Sequence, residues 1–462
     1  MGLGNKIRQY KEYKRGINHC TLDPNGPGVV RIHLVPPKFS LLRNDSYVVI
    51  LNGYYILPIG YSYAVILSNF IDNVNMYDGK EMGEDCEKEI VRKTVNETHR
   101  TYPMIRRTDI EEDLNEILDV IFAVARNEIP NTEIEKLSIR NYSKCMTAPH
   151  RMDLMVSAMT DENGNWKCNQ RCRFCYAAGQ SRASSKELDT SEWKKIIDKL
   201  YDAGVPMVTF TGGEPTLRAD ICELVGHAKR FVTRLNTNGV ALTKELVYEL
   251  KKASLDSLQV TLYSHDERVH NELVGAERFR DTVNGIRRAV SAGLDVSINT
   301  PLCKKNSDYV KTLEFIKSLG VKFVTSSGLI CTGNAEDSHS EYDLDSEELY
   351  GVISEAKAFC DQNNMEIDFT SPGLISKERL ESLKMKVPAC GAALSNMAIA
   401  PDGTVVPCQS WLTVDSSLGN ILNGKWKKIW NSKLAKSLRV MTEDEALACP
   451  FRNNLFKGGK LK

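Results

Sequence analysis

Residues 152–175 read MDLMVSAMTDENGNWKCNQRCRFC. An apolar run at 154–159 has strand length, and the loop after it presents three thiols, Cys168, Cys172 and Cys175. Strand-length apolar runs recur at 205–210, 231–235, 257–262, 295–299 and 321–325. Between them apolar residues fall at helical spacing, as in Trp193, Ile196, Ile197 and Leu200 or Phe279, Val283, Ile286 and Val290. Strands alternating with amphipathic helices predict an α/β fold with a parallel sheet under helices. Six such units predict an open, partial (βα)6 barrel rather than a closed one of eight. Its chemistry is then expected on the loops after the strands' carboxyl ends.

The cysteine loop lies on one of those loops. A cubic 4Fe–4S cluster takes one thiolate per iron, so three thiolates leave one iron open to a chelating substrate. The alternative is structural zinc, which wants four closed ligands and favours two-residue spacings. No fourth Cys or His is adjacent. After the second strand comes TFTGGEP at 209–215, where glycines allow close backbone approach and a carboxylate can accept an ammonium. A Gly-Gly-Glu turn alone is often only a turn. One βα unit after the thiols, it supplies a pocket for an amino-acid head group. Asn238 after the third strand, Thr261 on the fourth and Asn299 on the fifth are polar at strand ends, placed to bond a ribose or carboxylate or simply to cap loops.

The CX3CXφC loop with Phe174 as its aromatic residue, together with the GGEP turn, resembles the radical S-adenosylmethionine (SAM) superfamily over about residues 152–335. The resemblance implies that Cys168, Cys172 and Cys175 hold a 4Fe–4S cluster. The open iron would chelate the methionine end of SAM, and Gly212, Gly213 and Glu214 would hydrogen-bond its amino group. Phe174 would pack near the adenine, and Thr261 and Asn299 would reach the ribose or carboxylate. Reductive cleavage of SAM then gives a 5′-deoxyadenosyl radical that abstracts a substrate hydrogen atom, the electron coming from a partner such as flavodoxin or ferredoxin. The tail, with Cys390, GTVVPC ending at Cys408, LGNI at 418–421 and Cys449, resembles a degenerate SPASM or twitch extension. Ala446, Leu455 and Lys460 stand about where further thiolates would be sought, so one auxiliary cluster with three thiolates is expected rather than two.

The segment 31–127 differs in kind. Asn52-Gly53 between the apolar runs 47–51 and 54–57 predicts a hairpin, and a buried helix follows Gly60. Residues 46–71 carry no Asp, Glu, Lys or Arg and are long enough to span a bilayer, but this turn and Pro58-Ile59-Gly60 interrupt them. Thr108-Asp109-Ile110-Glu111 reads as a capping box opening a helix. The segment faintly resembles a PqqD-like peptide-recognition domain, which implies capture of a precursor-peptide leader by strand addition, with 47–51 and 54–57 as edges. A structural cap on the barrel is the plainer alternative.

The expected organisation is an N-terminal arm (1–30), this α+β accessory domain (31–127), a linker (128–151), the radical SAM barrel (152–365) and the cysteine-bearing extension (366–462). A chain of 462 residues should divide in this way. Zero formal net charge argues against nucleic acid as a partner, and an N-terminus without a signal-like apolar run places the chain in the cytoplasm. A reducing compartment leaves the thirteen cysteines unpaired, with Cys20, Cys86, Cys145, Cys222, Cys303, Cys331 and Cys360 expected as packing residues. SPASM-type tails accompany peptide and protein modification, so a ribosomally made precursor peptide is the expected substrate. The alternatives are radical modification of a small metabolite or tetrapyrrole, and a non-catalytic metal-binding interaction module.

Overall fold

The computed structural model describes residues 3–22, 30–37, 39–41, 45–53, 55–77, 83–125, 137–143, 146–451, 456–457 and 460–461. Tyr54, Asn127, Cys145, Leu455 and residues 128–136 of the 128–151 segment lie outside the described residues. The chain divides into two compact units.

The first unit comprises Met1–His150 with two short later pieces, Leu200–Pro206 and Arg230–Val232. Its four-stranded antiparallel sheet has the order β1 (Asn18–Leu22), β2 (Val30–Val35), β3 (Tyr47–Leu51), β4 (Tyr55–Ile59). Asn52 and Gly53 both take positive φ between β3 and β4, the backbone a tight hairpin demands. Helices α1 (Leu3–Arg15), α2 (Tyr61–Asn75), α3 (Glu84–Thr101) and α4 (Arg107–Ala125) complete the unit. One core joins Ile32, Leu51, Leu67, Ile71, Ile110 and Leu114. The expected arm contributes both α1 and β1, and β1 pairs along its whole length with β2.

Two expectations fail here. β3 lies between β2 and β4 with both edges paired, so 47–51 offers no free edge; the sheet ends on β1 and β4. Nor does Thr108 cap a helix. Helix α4 already includes it, and Asp109 is held instead by the Arg106 guanidinium at 2.7 Å.

The second unit is built on a ten-stranded sheet. Six parallel strands form its middle: β5 (Arg151–Ser157), β6 (Met207–Gly212), β7 (Val232–Thr237), β8 (Ser257–Thr261), β9 (Asp295–Pro301) and β10 (Phe323–Ser327). The extension supplies both flanks. β11 (Glu366–Phe369) pairs parallel with β10, and β12 (Asn396–Ile399) pairs parallel with β5 and carries antiparallel β13 (Thr404–Val406) and β14 (Gly419–Asn420). Most barrel strands end later than their apolar runs do. The backbone ladder continues through Thr211-Gly212, Asn236-Thr237 and Ser326-Ser327, because a strand needs main-chain partners and not apolar side chains at its carboxyl end. Among the described residues no helix is long and apolar enough to cross a membrane.

Candidate active site

The cysteine loop leaves β5 and is tied down through its main chain. The amides of Arg171 and Arg173 donate to the carbonyls of Val274 and Leu273, each at 2.9 Å. Gly275 is left-handed there, and a β-carbon would stand 2.5 Å from the Arg171 carbonyl. From the other side comes the loop after β10: Asn334 donates from its amide to the Cys175 carbonyl at 3.0 Å and from Nδ2 to that of Cys172 at 3.1 Å. Gly333, also left-handed, lies where a β-carbon would be 2.4 Å from the Cys175 carbonyl and 2.6 Å from that of Tyr176. Gly333 and Asn334 escaped the sequence reading. A Gly-Asn pair after the sixth strand was the available signal.

These bonds hold three thiols at the rim of one cavity of about 510 Å³, which Phe174, Gly212, Gly213, Glu214, Asn238, Thr261 and Asn299 also line. Burial pushes the Cys168 thiol up to about 12, lifts Cys172 well above the ordinary range and raises Cys175. Thiols with raised pKa are poor free nucleophiles, and they ionise when a cation is present to be ligated. That donor chemistry fits an iron–sulfur cluster. Among the described residues no three His, Cys, Asp or Glu side chains converge closely enough to hold a single metal ion.

Glu214 is buried, and its Oε1 accepts from the Thr216 amide at 3.0 Å, the Thr216 hydroxyl at 2.5 Å and Thr237 Oγ1 at 2.6 Å, while Oε2 accepts from the Asn238 amide at 2.8 Å. The carboxylate thus locks the turn to the end of β7, and Oε2 keeps acceptor capacity for a further donor. Burial still raises its pKa against those donors. The glycines are likewise set by protein. A β-carbon on Gly212, at φ 137°, would meet the Ser157 carbonyl at 2.2 Å, and one on Gly213 that of Ala158 at 2.8 Å. Close approach is therefore to β5, and what the glycines can offer a ligand is main-chain hydrogen bonding.

Asn238 donates to Asn169 Oδ1 at 2.6 Å and sits 3.9 Å from the Cys168 sulfur, while Thr325 donates to Asn299 at 2.9 Å. Phe174 meets Tyr342 edge-on at 5.3 Å between ring centroids. The tail thiols Cys390, Cys408 and Cys449 line the same cavity, and Cys408 is raised by burial first and by its two partners next. Ala446, where a further thiolate was sought, is fully buried and its carbonyl accepts from the Cys390 amide at 2.6 Å. The tail is bonded to the first loop through Gln180, whose Nε2 donates to the Tyr176 and Ser410 carbonyls at 2.6 and 3.1 Å and whose Oε1 accepts from the Leu412 amide at 2.9 Å. Cys20, Cys303 and Cys360 are buried packing residues; Cys331, expected among them, lines the cavity instead.

Comparison with known proteins agrees with this geometry. The radical SAM superfamily profile matches residues 167–316, and the SPASM iron–sulfur cluster-binding domain matches 390–450. An AdoMet-dependent heme synthase of Methanosarcina barkeri is 28% identical over 59% of this chain and 82% of its own length, and one of Oleidesulfovibrio alaskensis is 26% identical over 62% and 78%. In fold, the chain is similar to Streptococcus suis SuiB bound to S-adenosylmethionine, with a TM-score of 0.60 at 16% identity over 90% of this chain and 94% of that one. The native anSMEcpe complex with AdoMet and the Cp18Cys peptide gives 0.51 at 16% identity over 66% and 87%. The chain thus carries a radical SAM domain and a SPASM domain, which make it an enzyme and imply a 4Fe–4S cluster, SAM and auxiliary iron–sulfur clusters.

Proposed function

We propose that Cys168, Cys172 and Cys175 ligate the SAM-cleaving cluster, that Cys390, Cys408 and Cys449 hold an auxiliary cluster, and that the enzyme modifies a ribosomally made peptide. The observation that carries the site assignment is that both thiol sets and the Gly-Gly-Glu turn open on one cavity. When bound, the first cluster supplies the electron for reductive cleavage of SAM and so for hydrogen-atom abstraction. The chain's own part is to seat and orient. Main-chain groups of Gly212–Glu214 take the methionine amino group, Asn238, Thr261 and Asn299 take ribose or carboxylate, and Phe174 walls the adenine side. A low-potential protein such as flavodoxin or ferredoxin delivers the electron.

The peptide reading is supported by the likeness to SuiB, which extends over 86% of this chain in the complex of SuiB with its precursor peptide SuiA. The accessory sheet ends on β1 and β4, and on β4 the Ile56 carbonyl is already taken by the Leu137 amide at 2.8 Å, so a peptide strand would have to add beside that contact. A tetrapyrrole or other small metabolite is the second reading, favoured by the two heme synthases among the relatives. Anaerobically reconstituted, dithionite-reduced enzyme should be given a leader-bearing peptide encoded beside its gene and, separately, an iron porphyrin. A mass change in the peptide, lost when its leader is removed, supports the first reading. Turnover of the porphyrin alone overturns it.

A further inference from the structure

Below the thiol rim the cavity wall is charged. Strand alternation points Arg234 and Asn236 of β7 to the same face as Thr209 of β6 and Arg151 of β5, and all four line the cavity. Arg151 is paired, its Nε 2.9 Å from Asp153. Arg234 is not. Its Nε is shut off from solvent with no hydrogen-bond partner, and no carboxylate among the described residues forms an ion pair with it. Asp153 and Asp295 act on it only at a distance, while burial and the Arg151 charge lower its pKa. Beside it Asn236 Oδ1 and Thr209 Oγ1 are also buried without partners.

A guanidinium whose Nε is shut off from water without a partner is costly, and an anion in the cavity would offset that cost. A guanidinium fork matches the two oxygens of a carboxylate. We infer that Arg234, with Arg151, Thr209 and Asn236 around it, binds a carboxylate of the substrate inside the barrel. At about 3.3 Å per strand residue, Arg234 lies roughly 13 Å along β7 from Asn238 at the cysteine loop. The substrate therefore carries an acidic group, a side chain or a terminal carboxylate, reaching well below the carbon that is modified.

This rests on reading the cavity as the substrate chamber, but its test needs no turnover. Cluster-reconstituted, SAM-loaded enzyme is titrated with glutarate, with glutaramide and with inorganic phosphate by calorimetry. Glutarate should bind at least about tenfold tighter than glutaramide, and Arg234→Gln should erase that difference at wild-type iron content. Arg234→Lys, which keeps the charge without the fork, should fall between, and it decides the matter if Arg234→Gln loses iron. Equal binding of glutarate and glutaramide, absence of glutarate binding, or unchanged glutarate affinity in the variants overturns the site. Tighter binding of phosphate overturns the carboxylate assignment. Failure of the peptide in turnover with this titration intact would instead count against the peptide reading alone.

Discussion

Two sets of three thiols face one cavity, and they reach it by opposite routes. The central set sits within a single loop, so its spacing is written into the chain. Its backbone is clamped by Leu273, Val274 and Asn334. In the tail, eighteen positions separate Cys390 from Cys408 and forty-one separate Cys408 from Cys449. No local geometry brings those together. The tail set is assembled by the β12–β13 hairpin, by the Ala393 amide on the Pro407 carbonyl at 3.0 Å and by Trp411 stacked on Phe451 at 4.9 Å. Long loops cost little more to close than short ones, so a distant set is affordable wherever the surrounding fold is already fixed. The difference teaches that the first site tolerates few changes within its own loop, whereas the second depends on the sheet behind it.

The sharpest separation should come from deleting each set. Replacing Cys168, Cys172 and Cys175 by Ala should abolish release of 5′-deoxyadenosine from SAM. Replacing Cys390, Cys408 and Cys449 should lower bound iron by about four per chain and leave that release measurable. Equal iron in wild type and the tail variant would dissolve the comparison, since the tail would then hold no cluster.

Next in size are the glycines under the first set. Gly333→Ala forces a β-carbon against two carbonyls in a left-handed backbone, and Gly213→Val presses on the Ala158 carbonyl. Strain of this kind costs about 1–3 kcal/mol. Both should lower iron and SAM affinity together, measured by iron assay and equilibrium binding, while the tail's share of iron persists. Loss of SAM affinity at full iron in Gly213→Val would mean that the glycine faces the ligand after all.

Iron loading should also depend on pH. Ligation requires thiolates, and burial holds the central thiols high, with Cys168 at about 12. Initial rates of cluster growth in the apoprotein, followed by visible absorbance, should rise with pH by up to about tenfold per unit for each thiol that must ionise. A flat profile between neutral and mildly alkaline pH would show that ionisation of these thiols does not limit loading.

The smallest effect concerns the join between the two sets. Gln180→Ala removes three hydrogen bonds from a buried side chain and should cost about 1–3 kcal/mol by thermal unfolding. It should disturb the tail cluster's spectrum more than the first cluster's. The reverse order would place Gln180 with the central loop.

Much of the second unit was legible because its signals are local: six apolar runs, helical spacing between them, three close thiols and a Gly-Gly-Glu turn. Local signals are incomplete, however. Apolar residues do not mark strand ends, since the ladder runs on through Thr211, Asn236 and Thr237. The Glu214 carboxylate is tied to Thr216, Thr237 and Asn238, partners that no local pattern announces. In the first unit, the run at 47–51 is apolar in either case, but only pairing decides that it is central.

By itself the chain determined the periodicities, the central thiol spacing and the order of the βα units, because each depends on neighbours within a few residues. Only tertiary structure decided that the extension flanks both sides of the barrel sheet, that its scattered thiols share the first set's cavity, and that the Nε of Arg234 is shut off there without a partner. Those outcomes depend on strand register and on desolvation, which arise between segments far apart in the chain and leave no pattern in any one of them.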